Sequence, residues 1–240
     1  MLLKQEDKTK LSAHLNVVEW RMNSAIESNI NLVSDNKPET DQCASFLRSE
    51  TVGIYSLVIL HMLTKKKEEI ELEKIESIVR EKIITAQPQC NKTQDLTYGA
   101  TGYLYVLLVL ENKLRLAFES EKEKVEATLK ILQDTIAEVV QLLVKACVVK
   151  NDTTTTAQTQ KAGVTVNSET KKNRPYLRCE FYGEPYYGVA YGTVGLVYML
   201  IKAVYAVPTM QGVQELMAAI EGSLYQILET MGDSGVLPIK

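Results

Sequence analysis

Hydrophobic positions along the chain fall into two kinds of segment that alternate. In one kind they recur at helical spacing. Leu11, Leu15, Val18, Met22 and Ile26 form one such set, and Ile70, Ile75, Ile78, Val79 and Ile83 a second. Val125, Leu129, Leu132, Ile136, Val139 and Leu143 form a third, and Val213, Leu216, Met217, Ile220, Leu224 and Ile227 a fourth. Each set fills one helical face and leaves charged side chains on the other. The spacing predicts amphipathic helices over 11–29, from Ile70 to just before Pro88, over 121–148, and from Val213 to a C-terminal cap at Gly232. In the other kind of segment the apolar residues continue round every side: 51–64, 98–111 and 187–207. A helix of that composition has to be enclosed by protein. Two layers satisfy both kinds at once, with all-round apolar helices inside and one-sided helices outside.

Between these segments the chain breaks where turn-forming residues collect. Asp35, Asn36 and Pro38 mark a connection in 31–40. The tract 150–174, KNDTTTTAQTQKAGVTVNSETKKNR, is polar throughout. It offers too little apolar area to offset the entropy of ordering it, and is predicted to be a disordered insertion within one domain of 1–240.

The charge balance is near neutral, with 27 basic and 30 acidic residues and a formal net charge of -3. There is no basic block, so nucleic acid is not an expected partner. The longest apolar stretches, Tyr103–Leu110 and the Lys202-interrupted Gly195–Val207, fall short of the roughly 20 residues that cross a bilayer. No integral membrane segment is expected. MLLKQEDKTKL turns polar too soon to read as a secretory leader. Cys43, Cys90, Cys147 and Cys179 are far apart with no CxxC pair, which suits reduced, isolated thiols in the cytoplasm; Cys147 is the one expected to be buried. Asn91 and Asn151 head glycosylation-type triplets that are then chance matches.

The apolar helices share a head. Tyr98-Gly99-Ala100-Thr101-Gly102-Tyr103-Leu104-Tyr105 matches Tyr191-Gly192-Thr193-Val194-Gly195-Leu196-Val197-Tyr198 in both glycines and in aromatic positions. Ser49–Ser56 is a weaker copy that keeps only Gly53. The pair is a true internal repeat. Glycine there allows a sharp turn and close approach of backbones, and packing alone accounts for it without a ligand. No phosphate loop is present.

The same residues carry a resemblance. LTYGATGYLYVLLVL, starting at Leu96, resembles the inner-helix segment of the lanthionine synthetase C-like family. EFYGEPYYGVAYGTVGLVYMLI, residues 180–201, resembles that family's aromatic-acidic lead into a GAAHG-type block, and GDSGVLPI at 232–239 its glycine-rich turn. The resemblance implies an all-α fold, here an incomplete α/α toroid of inner apolar and outer amphipathic helices. Bacterial members use zinc, held by two cysteines and a histidine, to activate a thiol that adds to a dehydroamino acid. Eukaryotic relatives bind glutathione and are similar to enzymes that add it to dehydroamino acids in proteins. The resemblance also implies a cytoplasmic location, with peripheral attachment at the plasma membrane in some members.

Two departures bear on activity. Tyr191 stands where the family places its acid/base histidine, and a phenol is a poor proton acceptor near neutrality. No segment resembles the zinc-ligand blocks, and the two histidines, His14 and His61, have no ligand-like spacing to a cysteine. Zinc is therefore expected only in a complete family member, and no cofactor is expected here. The reading is a catalytically deficient relative acting in binding or scaffolding, with glutathione as a candidate ligand. Self-association, or another chain, would cover the open ring. The alternative is thiol addition to dehydroamino acids in peptides, should a longer product or partner supply the rest. Tyr191 is a weak catalytic candidate. Gly99, Gly102, Glu180, Gly188, Gly192 and Gly195 are candidates for ligand binding or for structural turns. A carbohydrate-acting toroid would need paired carboxylates, for which only Glu180 and Glu184 stand beside the glycine block.

Overall fold

The computed structural model describes residues 45, 49–149 and 174–232, apart from the side chains of Glu50 and of 89–92. The helix expected at 11–29, His14, Cys43, the polar tract 150–173 and most of the turn at 232–239 lie outside the described residues. Six helices organise the rest.

Helix α1 (Glu50–Met62) starts at Ser49, whose hydroxyl accepts the Val52 N–H at 3.0 Å and so satisfies one of the amides left open at a helix start. Helix α2 begins at Leu72–Ile78, widens into a π-helical turn at Val79–Ile83 and tightens to a 3-10 path over Ile84–Lys92. Pro88 lies inside that path. The sequence expectation ended the helix before Pro88, but the chain stays helical through it. Proline has no N–H to donate, so the segment changes its hydrogen-bond spacing rather than stopping. Ile75, Val79 and Ile83, one turn apart, are the buried side of α2.

Helix α3 (Ala100–Ala117) runs between α1 and α5 (Thr193–Ala206) and packs on both. Helix α4 (Glu126–Cys147) lies across α3 and reaches α5, burying Leu132, Ile136, Val139, Leu143 and Cys147 as its spacing required. Helix α6 (Val213–Met231) backs α5. Apolar helices α1, α3 and α5 therefore stand in series, each packed against an amphipathic neighbour. The largest fully buried side chains, among them Tyr103, Leu104, Leu107, Leu110, Ile59 and Ile136, fill the space between the layers.

Three expectations need correction. The apolar helices are not enclosed on every side: α5 exposes Tyr198 (51%) and Tyr205 (81%), with Lys202 between them. Helix α5 also starts at Thr193 rather than 187, because 186–192 is a lead with a turn at 189–191 that folds back on the helix head. On α6, Met217 and Leu224, expected inside, face outward, whereas Ala219 and Ser223 are buried. The cause is a strap, residues 174–177, which packs on the small-residue edge of α6. Ser223 Oγ accepts the Leu177 N–H at 2.7 Å, and the Pro175 carbonyl passes over Gly222 too closely for a side chain there.

Short strands add what the helical reading lacked. Strand β1 (Val148–Val149) pairs antiparallel with β2 (Tyr176–Leu177), bringing together the two sides of the polar tract. Strands β3 (Glu180–Phe181) and β4 (Glu184–Pro185) form a hairpin. Its two-residue turn has positive φ at both Tyr182 (55°) and Gly183 (78°), the backbone twist that tight hairpins favour. Arg174, assigned to the insertion on composition, is anchored: it pairs with Glu221 at 2.6 Å and lies over the Tyr225 ring.

Candidate functional site

The two matching helix heads stand side by side. Each is preceded by a lead that crosses its own helix start, and glycine is what permits the crossing. A methyl group on Gly99 would lie under 3.0 Å from the carbonyl of Thr93, and on Gly102 from that of Leu96. The same holds for Gly192 with Tyr186 and Gly195 with Val189. In all four cases the crowding carbonyl belongs to the residue six positions earlier. Matched hydrogen bonds fasten the leads: Ala100 N to Thr93 O and Thr193 N to Tyr186 O, both 2.9 Å. Gly99 and Gly192 are the N-caps of α3 and α5, and Gly102 and Gly195 lie in their first turns; at all four the crossing backbone leaves no room for a side chain. Gly188 differs, since a side chain there would meet nothing within 4 Å. The weaker copy keeps its buried Gly53 in the first turn of α1.

The leads are also joined to each other. Leu96 N donates to Ala190 O at 3.1 Å, and Thr97 Oγ1 donates to the same oxygen at 3.2 Å. Asp95, almost wholly buried, accepts the N–H groups of Thr97 and Tyr98 on Oδ1, both at 2.8 Å. Its Oδ2 is buried without a partner. Spacing alone did not single out Asp95, because one carboxylate in a loop carries no periodic signal.

Above the leads lies a group of rings. Tyr191 lies tilted against Phe181 with centroids 4.6 Å apart and stacks on Tyr98 at 6.2 Å, and Tyr186 meets Phe181 edge-on at 5.8 Å. Offset and edge-on contacts of this kind are the favourable aromatic geometries. Tyr191 is thus held by its counterpart from the previous repeat and by β3. Glu180, the acidic candidate, is partly exposed and paired with Arg178 at 2.5 Å. Phe181 is opposite Glu184 in the hairpin, so Glu180 and Glu184 point to opposite faces. They do not form the acid/base pair that carbohydrate cleavage needs.

Cys147 and Cys179 are buried free thiols. They were expected to be isolated, yet β1–β2 pairing draws them together: Arg178 N donates to Cys147 O at 2.9 Å. Burial pushes both thiols up to about 12 from 9.0, and for Cys179 the negative charge that Cys147, Asp95 and Glu180 can carry adds to the rise. A zinc ligand has to be a thiolate, so burial here works against the role. Among the described residues no three His, Cys, Asp or Glu side chains gather as a metal site requires. The described donor set does not fit the zinc that the family resemblance implies.

A groove of about 370 Å³ opens between the exposed sides of α3 and α5. Tyr105, Tyr198 and Tyr205 line it, together with Arg115 and Lys202. Arg115 is partly engaged, since its Nε lies 3.4 Å from the buried carboxylate of Glu111, which also accepts from Gln133 at 3.3 Å. Lys202 lies 5.5 Å from the centre of the Tyr198 ring, and among the described residues it has no carboxylate partner. The sequence held a signal for this site: Lys202 is the one charged residue in an otherwise apolar α5.

Residues 11–231 match the family model described as lanthionine synthetase C-like protein. Comparison with curated proteins and with solved structures gave no match. The family match spans both helix heads and every described helix, and no helix among the described residues is long and apolar enough to cross a membrane. The chain belongs to the lanthionine synthetase C-like family.

Proposed function

We propose that this chain is a binding member of its family rather than a bond-making one, and that it takes a small acidic peptide in the groove between α3 and α5. The observation that carries this reading is the groove itself. It combines Lys202, which has no carboxylate partner among the described residues, with three tyrosine rings in a volume within the roughly 300–1,000 Å³ of small-ligand sites. A carboxylate set against Lys202 and an apolar stem laid on Tyr198 and Tyr205 would use both features. Glutathione, with two carboxylates on a tripeptide frame, is the candidate that family membership favours. The position of the family's acid/base histidine supports a non-catalytic role, because Tyr191 fills it with a phenol packed among other rings.

Titration calorimetry with reduced glutathione, and with a glutamate-containing tripeptide, tests the reading. Lys202→Met and Tyr205→Ala should each weaken binding by about tenfold, roughly 1.4 kcal/mol. Both side chains are exposed, so neither change disturbs the core. Binding that is unaffected by either change, or absent for both ligands, would refute the groove as the site. Thiol addition to a dehydroalanine peptide, with one zinc per chain, would overturn the non-catalytic reading.

A further inference from the structure

Glu111 is the buried charged residue of the groove lining. It is 1% exposed, whereas Arg115 and Lys202 in the same lining reach solvent. A buried carboxylate normally has to be paired and closely hydrogen-bonded. Glu111 is not. Arg115 Nε stands 3.4 Å from its Oε1, beyond the roughly 2.7–2.9 Å of a charge-assisted hydrogen bond. Gln133 Nε2 donates to the same oxygen at 3.3 Å. Surface pairs of this chain are made more closely, as in Arg174 with Glu221 at 2.6 Å and Arg80 with Glu76 at 2.8 Å.

Both contacts fall on Oε1, and among the described residues no hydrogen bond reaches Oε2. That oxygen is not sealed in either, because the described side-chain oxygen enclosed without a partner is Asp95 Oδ2. Glu111 therefore keeps an open accepting oxygen, and the groove is the surface it lines. A metal ion would need further ligands, and among the described residues no three His, Cys, Asp or Glu side chains gather. A primary ammonium needs less. It brings three N–H donors of its own, and one carboxylate oxygen is enough to fix it. Lys202 supplies the opposite charge within the same lining.

We infer that the groove recognises a zwitterion, a short peptide whose free N-terminal ammonium donates to Glu111 Oε2 while a carboxylate meets Lys202. This rests on the groove reading proposed above and narrows it from acidic peptides in general to those with an unblocked amine. The ammonium also neutralises a charge that Arg115 compensates only from a distance. A peptide without that amine would cover Glu111 and cut its open oxygen off from water, which costs binding energy.

The test uses the full chain and two tripeptides with glutamate at the centre, one with a free N-terminal amine and one in which hydrogen replaces that amine. Titration calorimetry should show the amine form binding at least about tenfold more tightly, since a hydrogen bond between charged groups is at stake. Glu111→Gln should remove most of that preference by weakening the amine form, with circular dichroism verifying the fold. The comparison of the two ligands needs no variant, so it decides the matter even where that substitution unsettles the chain. Equal binding of two tripeptides that both lose affinity in Lys202→Met overturns the ammonium site and leaves the groove reading intact. Binding of neither, or indifference to Lys202→Met, removes both readings. A preference for the amine form that a folded Glu111→Gln protein preserves places the ammonium elsewhere and overturns the inference as well.

Discussion

Gly195 sets two physical rules against each other. It lies in the first turn of α5, where helix propensity alone says that alanine should stabilise the protein by about 1 kcal/mol. The structure says the reverse. A methyl at Gly195 would fall within bonding-like distance of the Val189 carbonyl, which is backbone and cannot rotate away. Relieving that overlap means displacing the lead at 186–190. Overpacking of this kind typically costs about 1–3 kcal/mol. Displacement also loosens Thr193 N to Tyr186 O at 2.9 Å and Val194 N to Tyr187 O at 3.2 Å, each a bond of about 1 kcal/mol net. Set against the propensity gain, Gly195→Ala should destabilise the chain by about 2–4 kcal/mol. Urea unfolding followed by circular dichroism and by tyrosine fluorescence measures it. With a slope of about 2–3 kcal/mol per molar, the midpoint should fall by about 0.7–2 M. Gly188→Ala is the control, because that position is open, and its midpoint should scarcely move. A Gly195→Ala protein that is more stable than the parent would refute the crossing-lead account.

Other consequences are direct. Tyr103, wholly buried, donates its hydroxyl to Ile83 O at 2.9 Å within the π-helical turn of α2, so Tyr103→Phe removes that buried bond and should cost about 1 kcal/mol by the same urea assay. Asp95→Ala removes the acceptor for two N–H groups and should destabilise by about 1–3 kcal/mol, whereas Asp95→Asn keeps an acceptor oxygen and should lose less; equal losses would show that the hydrogen bonds are not what Asp95 supplies. Cys147 and Cys179 ionise near 12 when folded and near 9.0 when unfolded, so between those values the folded chain holds more protons. The stability they contribute is complete below pH 9 and is lost as pH rises towards 12. Cys179→Ala should flatten the alkaline fall of the urea midpoint relative to the parent, and parallel curves would refute the assignment.

The sequence was most legible where a period ran long. The outward and inward faces of α4 follow from its spacing, since a 22-residue helix offers six turns over which the hydrophobic side is unambiguous. On α6 the same reasoning put Met217 and Leu224 inside, in one set with Val213, Leu216, Ile220 and Ile227. The strap at 174–177 overrides that placement: it needs a small surface to lie on, and Ser223 supplies a hydrogen bond as well. That contact joins residues nearly fifty positions apart and leaves no local pattern. The two-residue strands were unreadable for a related reason, as two positions cannot display an alternation. The repeated head was visible as letters, and its glycines were read as permitting close approach. What they admit, the carbonyl six residues back, shows only in three dimensions. At the groove, Lys202 stood out as an interruption, but its tyrosine neighbours come from two helices whose pairing no spacing reveals.

These observations divide the inner helices along their length. At the head, glycines, crossing leads and stacked rings satisfy one another, and the two repeats are tied by the Leu96 N–H and the Thr97 hydroxyl, which both donate to Ala190 O. Tyr191 belongs to that construction: its partner across the stack is Tyr98, its own equivalent in the repeat, so a ring at this position serves the union of the two heads. Side chains committed in this way have little freedom to meet a ligand. Further along α3 and α5 no crossing lead covers the helices, and there Tyr105, Tyr198, Lys202 and Tyr205 line an open groove. Stability pressure therefore acts at the head, and under the proposed function specificity is set at the groove. A relative that keeps the glycines and changes the groove residues would retain this architecture while changing what it holds.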